Sequence, residues 1–127
     1  MYLLDTHLLL WASFEPQRLS AKASKLLQSR DVPLMFSLAS LWEVAIKTSL
    51  GRSDFSVDPE MLHRALLAEG LLELPVRAAH LTRVAGLPWV HRDPFDRLLV
   101  AQAAEEKLTL LTVEATLRRY GRFVKVV

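Results

Sequence analysis

Short apolar runs alternate along this chain with longer stretches whose apolar residues recur every three or four positions. The runs at 2–4, 34–36, 71–74, 108–111 and 123–126 have the length and composition of strands. The stretches between them predict helices at 20–30, 40–50, 58–69, 77–85, 94–107 and 115–120. Punctuation agrees: Ser20 is a good N-cap, Gly51 falls where a helix commonly ends in glycine, and Pro59, Gly70, Pro75, Gly86 and Pro88 fall between elements. Strands separated by helices imply βαβ units. The expected architecture is therefore one α/β domain over residues 1–127, with a central parallel sheet of about five strands flanked by helices. In the second predicted helix Leu38, Leu41, Trp42, Ala45, Ile46 and Ser49 align into a stripe that is expected to face the core. Trp11 and Trp89 also lie in apolar surroundings, so at least two of the three indoles are expected to pack inside rather than to stack on bases.

Composition narrows the function classes. A hydrophobic content of 51% over 127 residues supports a real core and excludes a disordered chain. With no cysteine there is no disulfide framework, thiolate metal site or cysteine nucleophile. The apolar start lacks a basic leader region and carries Asp5 and His7, and no run approaches the ~20 apolar residues of a membrane span. A cytoplasmic protein without a membrane partner is expected. The balance of 16 Lys+Arg against 14 Asp+Glu, net +2, does not by itself announce a nucleic-acid partner.

The carboxylates carry more information. In open parallel sheets ligands bind beyond the carboxyl ends of the strands, where strand order reverses. Asp5 follows the first strand and Glu114 the fourth, so the two meet if those strands are neighbours at the reversal. Asp93 and Asp96 add two more acids at a helix start. Acids gathered in one cleft repel one another unless protonated or bridged by a cation, and an all-oxygen set suits Mg²⁺ or Mn²⁺. No glycine-rich phosphate cradle is present, so phosphodiester hydrolysis fits better than nucleotide turnover. Structural readings compete with this one. Asp93 before Pro94 has the form of a helix cap, and Asp96 in the first turn complements the helix dipole. Ser40 and Glu43 read as a capping box, with Glu43 paired to Lys47 away from the apolar stripe, which makes Glu43 structural when taken alone. His7 and His91 are expected to be structural histidines outside the site.

The segments Leu3-Leu4-Asp5-Thr6-His7, Ser40-Leu41-Trp42-Glu43-Val44-Ala45-Ile46-Lys47 and, above all, the block from Leu87 to Ala103 resemble the PIN-domain family. Within it they resemble the VapC-type toxins of bacterial toxin–antitoxin pairs. The likeness runs in order from the first strand to the last. It implies an Mg²⁺- or Mn²⁺-dependent endoribonuclease in which Asp5, Glu43 and Asp96 are the first three acids and hold the metal. Glu43 thereby moves from a structural to a catalytic assignment. Asp93 matches an aspartate frequent in this subgroup and is left open between ligand and cap. The fourth acid, usually aspartate, is Glu114 here, which lengthens the arm and predicts weaker or Mn²⁺-favouring activity. Thr6 and Thr112 are candidates to orient a carboxylate or water on the substrate side, and Arg92 and Arg97 to grip the RNA backbone. The implied partners are an RNA substrate, a cognate antitoxin and a second copy in a homodimer. The alternative is a module of the same fold that binds RNA or a protein without cleavage, kept open by Glu114.

Overall fold

The computed structural model describes residues 1–51 and 56–127, and the observations below concern these. Chain order is β1 (Tyr2–Leu4), α1 (Thr6–Phe14), a 3₁₀ turn (Pro16–Arg18), α2 (Ala21–Ser29), β2 (Leu34–Ser37), α3 (Leu38–Ser49) and α4 (Pro59–Ala68). There follow β3 (Leu72–Leu74), α5 (Ala78–Ala85), α6 (Pro94–Glu106), β4 (Thr109–Thr112), a second 3₁₀ turn (Ala115–Tyr120) and β5 (Val124–Val126). The five strands form one parallel sheet in the order β3-β2-β1-β4-β5. The order reverses between β1 and β4, so the segments after these two strands border the crevice where an open sheet binds ligands.

Alternation along the strands divides the core into two layers. Leu3 and Leu110 face one side with Leu98, Leu99 and Leu117, while Leu4 and Leu111 face the other with Leu8, Val44 and Leu62. Each face is covered by helices, as parallel strands apolar on both faces require. Helix α6 is buried from Arg97 to Ala103, which explains why its apolar residues run nearly all round and show little stripe.

Four expectations change here. The segment at 115–120 is 3₁₀ rather than α. Helix α3 starts two residues earlier than expected, because Ser37 rather than Ser40 caps it, accepting from the Ala39 amide. Its inward face carries Ala39, Ser40, Glu43 and Val44, whereas Trp42 is 59% exposed. The stripe was read from the larger apolar residues, but the helix turns a partly polar face inward. Trp89 is also exposed, at 80%, so two of the three indoles lie outside the core.

Candidate active site

Asp5 leaves β1 in extended conformation and caps α1. Its Oδ1 accepts from the Leu8 amide at 2.8 Å, and its Oδ2 accepts from the Thr112 hydroxyl at 2.6 Å and the Val113 amide at 3.1 Å. Thr112 and Val113 end β4, the neighbour across the reversal, so the sheet itself delivers these donors. The Thr112 oxygen in turn accepts from the Glu114 amide. Burial raises the Asp5 pKa, while the hydrogen bonds from Thr112, Leu8 and Val113 pull it back down.

Glu43 comes from α3. It is only 3% exposed, and its Oε2 accepts from Lys47 Nζ at 2.8 Å. Its Oε1 is buried without a hydrogen-bond partner among the described residues, which is costly for a carboxylate. One turn earlier, Ser40 accepts a buried hydrogen bond from the Thr6 hydroxyl at 3.0 Å, joining α3 to the start of α1. Thr6 thus holds Ser40, and Thr112 holds Asp5.

Asp93 and Asp96 open α6. Asp93 caps the helix, its Oδ1 accepting from the amides of Phe95 and Asp96 at 2.8 and 3.0 Å. Asp96 Oδ2 pairs with His91 Nε2 at 2.9 Å. Burial, with repulsion from Asp93 and Asp5, pushes the Asp96 pKa up to about 6, against the opposing pull of His91. Glu114 spends Oε1 on the Thr116 amide at 3.4 Å, capping the second 3₁₀ turn.

With that arrangement defined, comparison with known proteins is informative. Residues 2–122 match the PIN domain. The chain belongs to the PIN domain family. Ribonuclease VapC22 of Mycobacterium tuberculosis is 32% identical over 119 residues, covering 93% of this chain and 90% of that protein. Among solved structures, VapBC2 of Rickettsia felis bound to a promoter DNA fragment superposes with a TM-score of 0.71 at 15% identity, over 99% of this chain and 96% of that one. A toxin–antitoxin complex from Klebsiella pneumoniae gives 0.68 at 17% identity, over 99% and 97%. FitAcB of Neisseria gonorrhoeae gives 0.59 at 19%, over 91% and 89%. At these identities the solved structures speak to the fold. The resemblance read from the sequence, and with it the α/β fold, is thereby established.

In this PIN domain the donor set fits a hard divalent cation. It is all oxygen, Asp93 and Asp5 repel Asp96, and Glu43 contributes an Oε1 without a hydrogen-bond partner among the described residues. Among the described residues, no three Asp, Glu or His side chains are already converged as a metal cage. Of the five acids, Asp5, Asp93 and Glu114 each commit one oxygen to a helix cap.

Arg97 requires a correction. It is 3% exposed, and its guanidinium donates to the carbonyls of Val84, Leu87, Pro88 and His91 and to the Tyr120 hydroxyl, at 2.9 to 3.5 Å. Trp89 lies over it, 3.9 Å from ring centroid to guanidinium carbon. The side chain fastens the loop before α6 and has no reach to an RNA backbone, whereas Arg92 in that loop is exposed. His91, expected to be a structural histidine outside the site, pairs with Asp96. Its signal was its place five residues before Asp96, in the same block that carried the family resemblance.

Proposed function

We propose that this PIN domain is the ribonuclease toxin of a toxin–antitoxin pair and that it hydrolyses RNA at a divalent-metal site held by Asp5, Glu43 and Asp96. The observation that supports the proposal is the buried Glu43 Oε1, without a hydrogen-bond partner among the described residues, on a helix tied through Ser40 to Thr6, the residue that follows Asp5. The 32% identity to a VapC ribonuclease supports the substrate class, and the solved toxin–antitoxin complexes of the same fold support an antitoxin partner. A bound Mg²⁺ or Mn²⁺ supplies charge neutralisation at the phosphoryl oxygens and activation of a water.

The chain's own residues do the positioning. Thr112 and the Leu8 and Val113 amides keep Asp5 in one rotamer, and Lys47 holds one Glu43 oxygen while the other stays open. His91 fixes Asp96 Oδ2, and Arg97 fixes the loop that carries His91. Asp93 keeps the first turn of α6 in register, and Glu114 assists from the far side through its second oxygen. Arg92 contacts the RNA backbone. Water adds to the phosphorus, a bridging P–O bond breaks, and the departing ribose oxygen takes up a proton. A second copy forms a homodimer, and the antitoxin masks the cleft.

The test is incubation of purified, antitoxin-free protein with pooled cellular RNA in Mg²⁺, in Mn²⁺ and in chelator, with Asp5→Asn alongside. Discrete fragments that need metal and vanish in the variant are expected. Equal cleavage by Asp5→Asn, or cleavage in chelator, rules the assignment out.

A further inference from the structure

Helix α3 departs from the ordinary amphipathic rule at three positions: Ser40 and Glu43 are buried beside Ala39 and Val44, while Trp42 is exposed. The inward polar residues are explained by the acid cleft. The outward indole is not. Trp42 meets Phe95 edge-to-face, with ring centroids 5.0 Å apart and planes at 72°. Trp42 immediately precedes Glu43 and Phe95 immediately precedes Asp96, so the ring pair ties α3 to α6 one residue along the chain from each of these acids. Edge-to-face packing fixes both rings with little entropy left to lose, and Phe95 is only half-buried.

We propose that Trp42 and Phe95 form a stacking platform for one unpaired base of single-stranded RNA, next to the phosphodiester held over the acids. This rests on the ribonuclease reading and adds a base-binding subsite to it. A strand whose phosphate lies among Asp5, Glu43 and Asp96 must place its neighbouring bases outside that polar cleft, and the ring pair offers an exposed aromatic surface on the same two helices that carry Glu43 and Asp96. Exposed Arg92, three residues before Phe95, adds a cation for the adjoining phosphate. Stacking is tolerant of base identity, because every base has a π-face. The platform therefore selects unpaired over paired RNA more than it selects a sequence.

The probes are an unstructured decamer of uridylate and the same ribose-phosphate chain without bases, titrated in Ca²⁺ so that the strand stays whole. Wild type is expected to bind the uridylate decamer more tightly than the baseless chain. Trp42→Ala is expected to weaken the decamer about tenfold while leaving the baseless chain unchanged, and Trp42→Phe to keep most of the affinity. Equal decamer affinity in wild type and Trp42→Ala overturns the proposal, as does an equal loss for both chains. A Trp42→Ala protein that halves its sedimenting mass with decamer affinity intact also overturns it and gives the surface to a second copy. The two readings separate cleanly. Metal-dependent cleavage lost in Asp5→Asn, with Trp42→Ala binding like wild type, removes the platform and keeps the nuclease. Base-dependent binding through Trp42 without cleavage does the reverse.

Discussion

Removing the charge of Asp96 should make the protein more stable while making it inactive. The carboxyl is held at a pKa of about 6 against an ordinary 3.8, mainly by burial and then by repulsion from Asp93. That difference corresponds to about 3 kcal/mol spent in keeping the folded protein ionised above pH 6. The sign follows from proton uptake. As pH falls through 6 the folded state binds a proton that the unfolded chain does not bind until near 3.8, so this group adds stability on acidification and withdraws it as pH rises. Asp96→Asn is neutral throughout and can still accept from His91 through its amide oxygen. The variant should therefore exceed wild type by about 2 to 3 kcal/mol at pH 8, with the gap closing toward pH 4. Urea denaturation of both proteins in chelator across pH 4 to 8 measures this, and comparing the pair cancels every other titrating group. A variant no more stable than wild type at pH 8, or a gap that does not change with pH, refutes the reasoning. The stored cost is also what a divalent cation would relieve, which ties the instability to the proposed chemistry.

Other substitutions probe the supports. Thr112→Val leaves Asp5 Oδ2 without its 2.6 Å donor and should cost about 1 to 3 kcal/mol in chemical denaturation, with Thr112→Ser restoring most of it. Arg97→Met strips the hydrogen bonds from several loop carbonyls and should cost about 3 kcal/mol or more, read from the denaturation midpoint. Arg92→Ala should leave the thermal midpoint within a degree or two but weaken RNA binding and lower the slope of log affinity against log salt by about 0.7. Glu114→Asp shortens the arm beside the site and should raise the Mg²⁺-supported cleavage rate relative to that with Mn²⁺, seen in parallel time courses.

The fold was legible because its signals are local. The leucine runs at 2–4 and 108–111 alternate in register with a two-faced sheet, and proline and glycine mark the connections. Asp5 was legible because an acid at a strand end between apolar runs has few inexpensive explanations. The inward face of α3 was not, since binary patterning assumes that the largest apolar residues turn inward, and here Glu43 is buried while Trp42 is exposed. Arg97 was misread for a related reason. An arginine is normally solvated, and its burial here depends on carbonyls from Val84 to His91 that only the folded loop brings together. The His91–Asp96 pair likewise needs the turn before α6, which no periodicity reveals.

The central claim is that Asp5, Glu43 and Asp96 hold one divalent cation although they are not preassembled as a cage. Mn²⁺ titration of the purified protein, followed by electron paramagnetic resonance, tests this directly. The account predicts a bound ion in the micromolar to millimolar range that is lost in Glu43→Gln and in Asp96→Asn, with both variants folded by circular dichroism. Mn²⁺ bound equally by wild type and both variants, or by none of them, would contradict it.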